Sequence, residues 1–439
     1  MVKRVTLFLA ILLTATWAKA QNEWTLERCI GYALENNIQV KQQELNVEQQ
    51  SNNLLRSKLS LLPSISSSGS YSFNWGRFFD QNSINWLDTR AESSSASIGA
   101  SLSLFSGLQK QNTIKKGELD VQIANKNIEK LKNDISLNVA AAYLQILLDE
   151  ENLEIAKQQL ETTKQQLSKT KILVEAGSTT MSTYLELQAQ EATEEVQLVT
   201  AESKLALSYL SLRQLLDLQG EQSFKIVNPN IAEPPTARTT QRVEDIFEQN
   251  APARPEVAGA ELQLKSAEKS LSIAKGALYP SLSLGGGSGT SFSSAITAQN
   301  FWEQYKGNMS YYASVSLSIP IFNGWQTRTN VRNAKLAVRS AELEVQSVKN
   351  TLYKEIQQAE TDAEAALRRY NASLKNVDAL QESFRYTDQK FNIGMVSTTD
   401  YNLAKNNLTK AQSELVQAKY QYVFQTKILD FYKGLPLSL

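Results

Sequence analysis

Few residues in this chain could do chemistry, and what is missing narrows the choice first. Its 439 residues include no histidine and one cysteine, Cys29. Without imidazole, histidine-ligated zinc sites, Ser-His-Asp triads and Cys-His pairs are excluded. A lone thiol forms no internal disulfide. No GxxxxGK[ST] loop occurs, and "LGGGSG" at 284–289 lacks a lysine and leads into serines, which reads as strand or turn rather than a phosphate cradle. What remains is a pair of turns, "EAGSTTMST" (175–183) and "NIGMVSTTD" (392–400). Gly177 and Gly394 permit a sharp backbone reversal, and hydroxyls follow each. Asp400 is the acid of the second turn, with Thr183 opposite it in the first and Glu186 three residues later. Taken alone, such residues describe solvated helix turns, with Asp400 as a helix cap.

The elements that hold these turns are written twice. "LLPSIS" (61–66) matches "LYPSLS" (278–283), "LFSGLQ" (104–109) matches "IFNGWQ" (321–326), and Tyr184 matches Tyr401. Each match is offset by 217 positions, as are the two glycines, so the chain is a tandem duplication. The expected halves are 21–218 and 242–439, joined by the proline- and polar-rich linker 219–241. Each half reads as helix, strand, strand, very long helix, turn, helix. The first helix is expected over about 25–60, and the long ones over about 107–174 and 324–391, each about 100 Å at ~1.5 Å per residue. Helices of that length need a partner along their course. Ile114, Val121, Ile128 and Ile135 recur every seven residues, and a four-residue stutter resets the series to Ile146, Leu153, Leu160, Leu167 and Val174. Val331, Val338, Val345 and Leu352, then Tyr370, Val377, Phe384 and Phe391, repeat it. This is a coiled-coil seam, which a solvated rod would also show.

The strands, expected at about 64–75, 96–105, 281–292 and 311–322, argue against a simple rod. Apolar residues alternate with serine and glycine: Tyr71, Phe73 and Trp75 in one strand, Ile98, Ala100, Leu102 and Leu104 in the next. Ala313, Val315, Leu317, Ile319 and Ile321 do the same in the last. A soluble sandwich usually carries charge on its polar face; here that face is small and uncharged. Ten-residue strands with aromatic ends suit a membrane barrel. Four strands cannot close, and open edges are not tolerated in lipid, so copies must combine. Two copies give eight strands and a filled interior; three give twelve and a water-filled lumen. Residues 1–20 read as an export signal, with Lys3 and Arg4, an apolar stretch and Ala18-Lys19-Ala20. Losing Lys3, Arg4 and Lys19 leaves 42 basic against 45 acidic residues, a balance that does not suit nucleic acid.

The chain resembles the outer-membrane efflux proteins, the TolC-like trimeric exit ducts, over essentially all of 22–434. The resemblance rests on the doubled plan in constant register, "ALENN" (33–37) with its partner "ARPEV" (253–257), "LFSGL" and "PIFNGW" leading into the long helices, and the two glycine turns. It implies a mainly α fold with a β-barrel contribution: four strands and very long coiled-coil helices per protomer, making a twelve-stranded barrel and a twelve-helix periplasmic tunnel in a homotrimer. It further implies an outer-membrane exit duct of a tripartite efflux or type I secretion system, with no catalytic site and no cofactor. The implied partners are a periplasmic adaptor, an inner-membrane pump and outer-membrane lipid. The turns become adaptor-docking tips, formed by Gly177, Ser178, Thr179 and Thr180 and by Gly394, Met395, Val396, Ser397 and Thr398. Asp400 becomes a gate residue, one of a ring of three that attracts cations.

The gate departs from the family pattern. A second acidic ring in some relatives falls here on Leu403, and the tyrosine and arginine that lock the closed gate match Phe391 and Val396. The closed state is therefore expected to rest on packing of Phe391 and Leu403, with Thr183 and Glu186 on the first tip. Loops 76–96 and 293–310, with Phe78, Phe79, Trp86, Phe301 and Trp302, are expected at the cell surface, constricting the outer mouth or acting as receptors. Competing functions are a pore-less exported coiled-coil scaffold or adhesin, a general porin and, least supported, an enzyme.

Overall fold

The computed structural model describes residues 23–80, 84–218, 224–229, 231–236, 242–296 and 299–439. The expected leader, much of the inter-repeat linker and the side chain of Phe78 lie outside the described residues.

The duplication is visible in element lengths. Helix α3 (Gln109–Glu175) and helix α8 (Gln326–Asn392) each hold 67 residues, and α4 (Met181–Leu215) and α9 (Thr398–Tyr432), which follow them, each hold 35. Both long helices start after two left-handed residues, Gly107 and Leu108 (φ 60° and 63°) and Gly324 and Trp325 (φ 61° and 65°). Gly107 admits no side chain, because a Cβ there would run into the Gly276 carbonyl.

Chain contacts divide the protein into two units, and each long helix contributes to both. Residues 45–126 and 258–347 form the first. It holds an antiparallel sheet of β2 (Ser64–Asp80), β3 (Asn85–Ser106), β5 (Ser281–Ser293) and β6 (Ser310–Ser318), in that spatial order. The register puts serines opposite serines on one face, and Ser64–Ser101, Ser68–Ser97 and Ser70–Ser95 join their hydroxyls at 2.8 Å, with Ser72–Ser93 at 2.7 Å. The opposite face carries Ile65, Ile98, Leu284, Val315 and Leu317, all at least 41% exposed. Two readings of the alternation need correcting. The register slips between Ser103 and Phe105, so Phe105 pairs with Leu282 and Leu104 is the bulged residue. Strand β6 ends at Ser318 instead of continuing to 322, since Pro320 has no N–H for the ladder. The β2–β3 pair runs beyond the sheet as a two-stranded ribbon, Phe73–Asp80 against Asn85–Glu92. A short helix, α7 (Phe301–Gly307), sits in the β5–β6 connection.

Residues 23–44, 127–257 and 348–439 form the second unit. Here α1 (Leu26–Asn36) and the start of α2 (Ile38–Leu59), whose remainder belongs to the first unit, replace the single helix expected over 25–60. Asn37 breaks it and satisfies the freed groups, donating to Leu215 O at 3.1 Å and accepting from Gln39 N at 2.8 Å. Cys29, Val139, Tyr143, Ile146, Leu147, Leu212 and Leu216 form the main core. A parallel pair, β1 (Glu23–Trp24) and β4 (Lys225–Ile226), lies over it and is tied by the Tyr143 hydroxyl to Val227 O. The second repeat adds α5 (Val243–Asn250) and the start of α6 (Pro255–Gly276), whose remainder belongs to the first unit, and Ile246, Val257, Leu352, Ile356 and Leu429 build a smaller core. Among the described residues, no helix is long and apolar enough to cross a membrane.

Candidate functional site

Both expected tips have the same backbone logic. At the end of α3, Ser178 N bonds Leu173 O and Gly177 N bonds Val174 O, with Gly177 at φ 72°. At the end of α8, Met395 N bonds Lys390 O and Gly394 N bonds Phe391 O, with Gly394 at φ 76°. Each closes the last carbonyls of its helix with a left-handed glycine. A side chain at either glycine would meet no neighbour; the backbone angle alone demands glycine.

The next helix then starts on a cap, and here the tips differ. In the first, Thr180 Oγ1 accepts from Thr183 N at 3.4 Å, and Glu186 accepts from Ser182 at 3.2 Å. In the second, Ser397 Oγ accepts from Asp400 N at 3.1 Å while the Asp400 carboxylate takes the Ser397 hydroxyl at 2.7 Å and Ser397 N at 3.4 Å. The acid peculiar to the second turn thus completes a reciprocal capping box. Asp400 is also exposed, so the cap leaves its charge facing solvent.

Between the tips lies a groove of about 840 Å³. Ser178, Thr179, Thr180, Val396, Ser397 and Thr399 line it, with Phe391 and Ile393 as apolar wall. Thr398 is buried in it at 5% exposure, whereas Met395 points outward at 70%. The structure does not bring Phe391 to Leu403. Phe391 stacks on Tyr401 at 4.6 Å between ring centroids, Phe384 flanks the same tyrosine at 5.5 Å, and Leu403 is 60% exposed.

Sequence reasoning missed the group just behind the tips. Lys405 of α9 and Glu194 of α4 are 4% and 1% exposed and pair at 3.0 Å. The ammonium also donates to Gln159 O of α3 at 2.8 Å and to the Thr163 hydroxyl. Glu194 accepts from Thr163 at 2.6 Å, Gln190 at 2.8 Å and Gln159 at 3.1 Å. Burial pulls Lys405 below the ordinary lysine range, and the neighbouring carboxylate pushes back. Three helices of two hairpins are thus pinned by one charged pair whose polar valences are filled. Its signal in the sequence is Gln159, Thr163, Gln166 and Thr170, a buried stripe at four-three-four spacing.

Comparison with known proteins agrees with this architecture. The family model "Outer membrane efflux protein" matches residues 29–217 and 248–432. Outer membrane protein TolC of Vibrio cholerae is 24% identical over 65% of this chain and 64% of that protein, just under two thirds of its length. Outer membrane efflux protein BepC of Brucella suis is 21% identical over 94% of this chain and 86% of its own. Among solved structures, CusC superposes with a TM-score of 0.78 at 17% identity, covering 94% of this chain and 93% of that one. The Campylobacter jejuni CmeC outer membrane channel gives 0.77 at 19%, covering 96% and 89%.

Proposed function

The chain belongs to the outer membrane efflux proteins, and from that premise we propose that three copies close one duct through the outer membrane. The duct is passive and has no catalytic site. It receives substrate from a periplasmic adaptor and an inner-membrane pump and releases it outside. The carrying observation is the sheet: β2 and β6 are both open edges, and where the four strands lie side by side one face is serine and glycine but for Tyr312, while the other carries exposed aliphatic and aromatic side chains. In lipid those edges must pair with other copies, which turns the hydroxyl face inward. Twelve strands leave that face lining water; eight would leave too little room for it.

The groove between the tips is the proposed adaptor seat. Its hydroxyls and short apolar wall suit a helical hairpin end that brings its own polar groups. Asp400, Leu403, Phe391, Thr183 and Glu186 are placed at the periplasmic gate, with Asp400 serving both as cap and as the charge of the ring.

The test is the native mass of the mature chain extracted in detergent from the outer-membrane fraction. A trimer is expected; a monomer, or a water-soluble dimer missing from that fraction, overturns the barrel in favour of a pore-less scaffold. In planar bilayers the trimer should be almost closed alone, whereas a steady large conductance would indicate a general porin. Ser178→Trp, which fills the groove from an exposed position, should abolish efflux in cells and leave the trimer intact.

A further inference from the structure

The short helix α7 contacts one face of the sheet, and the register says which. Its Tyr305 hydroxyl bonds Ser94 Oγ at 2.7 Å, and its Tyr305 carbonyl accepts from Thr290 Oγ1 at 2.6 Å. Its Phe301 ring lies 4.9 Å from Phe292. Ser94, Thr290 and Phe292 sit at even positions on β3 and β5, the face of Ile98 and Leu284, not that of the serine ladder. On the barrel reading proposed above that face is the outer one, which puts α7 against the outside of the wall. Gln304, 1% exposed, fixes it there, donating to Ser293 O, Ile296 O and Gln299 O at 3.1 Å each and accepting from Ser293 N at 2.9 Å.

Two observations set its height. Leu282 to Phe292 is ten residue steps along β5, ~33 Å along the strand and about 25 Å of vertical rise at the usual tilt, the thickness of an outer-membrane apolar band. At the far end of that band the outer face becomes charged. Arg90 lies 4.3 Å over the Phe73 ring and pairs with Glu92 at 2.7 Å, and Glu92 accepts from the Tyr71 hydroxyl. Charges on the lipid side mark the headgroup level, and Tyr71 pairs with Ser94, which in turn pairs with Phe292.

We propose that α7 is an interfacial collar, resting on the outer-leaflet headgroup layer on the lipid side of the barrel, and not a lid over its mouth. Trp302, 70% exposed, and the exposed Lys306 are its lipid contacts: an indole for the interface and an ammonium for headgroup phosphate. The inference rests on the barrel reading above, and its test separates the two.

Single cysteines replace Trp302 and, at mid-strand on the outer face, Val315, in a Cys29→Ala background. The full mature chain is labelled with bimane and reconstituted in phosphatidylcholine–phosphatidylglycerol vesicles carrying nitroxide lipids. The label at 315 should lose fluorescence about twofold to nitroxides on the acyl chain. The label at 302 should lose about as much to headgroup nitroxides and little to aqueous iodide. If 315 is quenched from lipid while 302 answers only to iodide, the collar is wrong and the barrel stands. If 315 is not quenched from lipid, the barrel fails and the collar with it. Trp302→Ser should leave single-channel conductance unchanged, and an increase would show α7 over the mouth.

Discussion

At the scale of single residues, the Lys405–Glu194 pair has the most to lose. A buried ion pair contributes little net stability, but removing one partner strands the other charge. Lys405→Met should therefore cost about 3–5 kcal/mol in thermal or denaturant unfolding of the detergent-purified protein, and adding Glu194→Gln should recover most of it. Equal losses in the single and double variants would show that the pair is not coupled. Its valences come from three helices, so the single variant should also loosen the contact between hairpins, read as protease cleavage near the tips. Cys29 gives a pH dependence. It is fully buried, and burial pushes its thiol up to about 12. A raised acid pKa favours the neutral form in the fold, so this contribution is complete below the unfolded value of ~8.5 and is lost as pH rises toward 12. Native protein at pH 8 should resist maleimide and react only on unfolding; prompt labelling of native protein would contradict the burial.

At the scale of elements, glycine positions test the sheet from both sides. A Cβ at Gly287 would run into the Ile98 carbonyl and the Tyr312 ring, whereas one at Gly69 meets only Ser95 O at 3.8 Å. Gly287→Val should cost about 1–3 kcal/mol and cut the trimer yield, and Gly69→Val should be tolerated, both read by native gel after membrane extraction. Equal yields would remove the close-packed glycine row as a constraint. Much at this scale is legible in the amino-acid sequence: the 217-residue offset, the alternation and the seam positions, with Leu352, Tyr370 and Val377 buried in the fold. Local deviations are less so. The Leu104 bulge is invisible because an apolar residue suits either phase, and Asn37 reads as an ordinary helix residue until Leu215 O lies within reach. Pro320 is the exception, since its missing N–H is written in the sequence and marks where the last strand must stop. The polar stripe on α3 is hidden for a different reason. Buried heptad positions are expected to be aliphatic, so Gln159 and Thr163 read as solvent face. Their burial depends on Lys405, 242 positions from Thr163.

At the scale of the whole protein, the charge distribution constrains where ions can be selected. Where the four strands lie side by side, the positions on the face proposed to line the lumen are serine, glycine and one tyrosine, Tyr312, which lies across Gly287 and reaches Gly99. Such a wall is polar but uncharged, so it hydrates a lumen without sorting ions by sign. Charge preference must then arise elsewhere, and the exposed Asp400, present three times in a trimer, is the group proposed for it. Its second role as a cap complicates the usual alanine test. Asp400→Ala removes both the charge and the carboxylate half of the capping box, while Ser397 still caps the N–H of residue 400. Asp400→Asn keeps an acceptor oxygen for Ser397 and removes the charge alone. If the ring sets selectivity, the asparagine variant should lose much of the cation preference seen in reversal potentials across a salt gradient while its unfolding midpoint barely moves. The alanine variant should show the same electrical change together with lower stability. An asparagine variant with unchanged reversal potential would return Asp400 to a purely capping role, and the search for the selecting charge would move to Glu186 on the first tip.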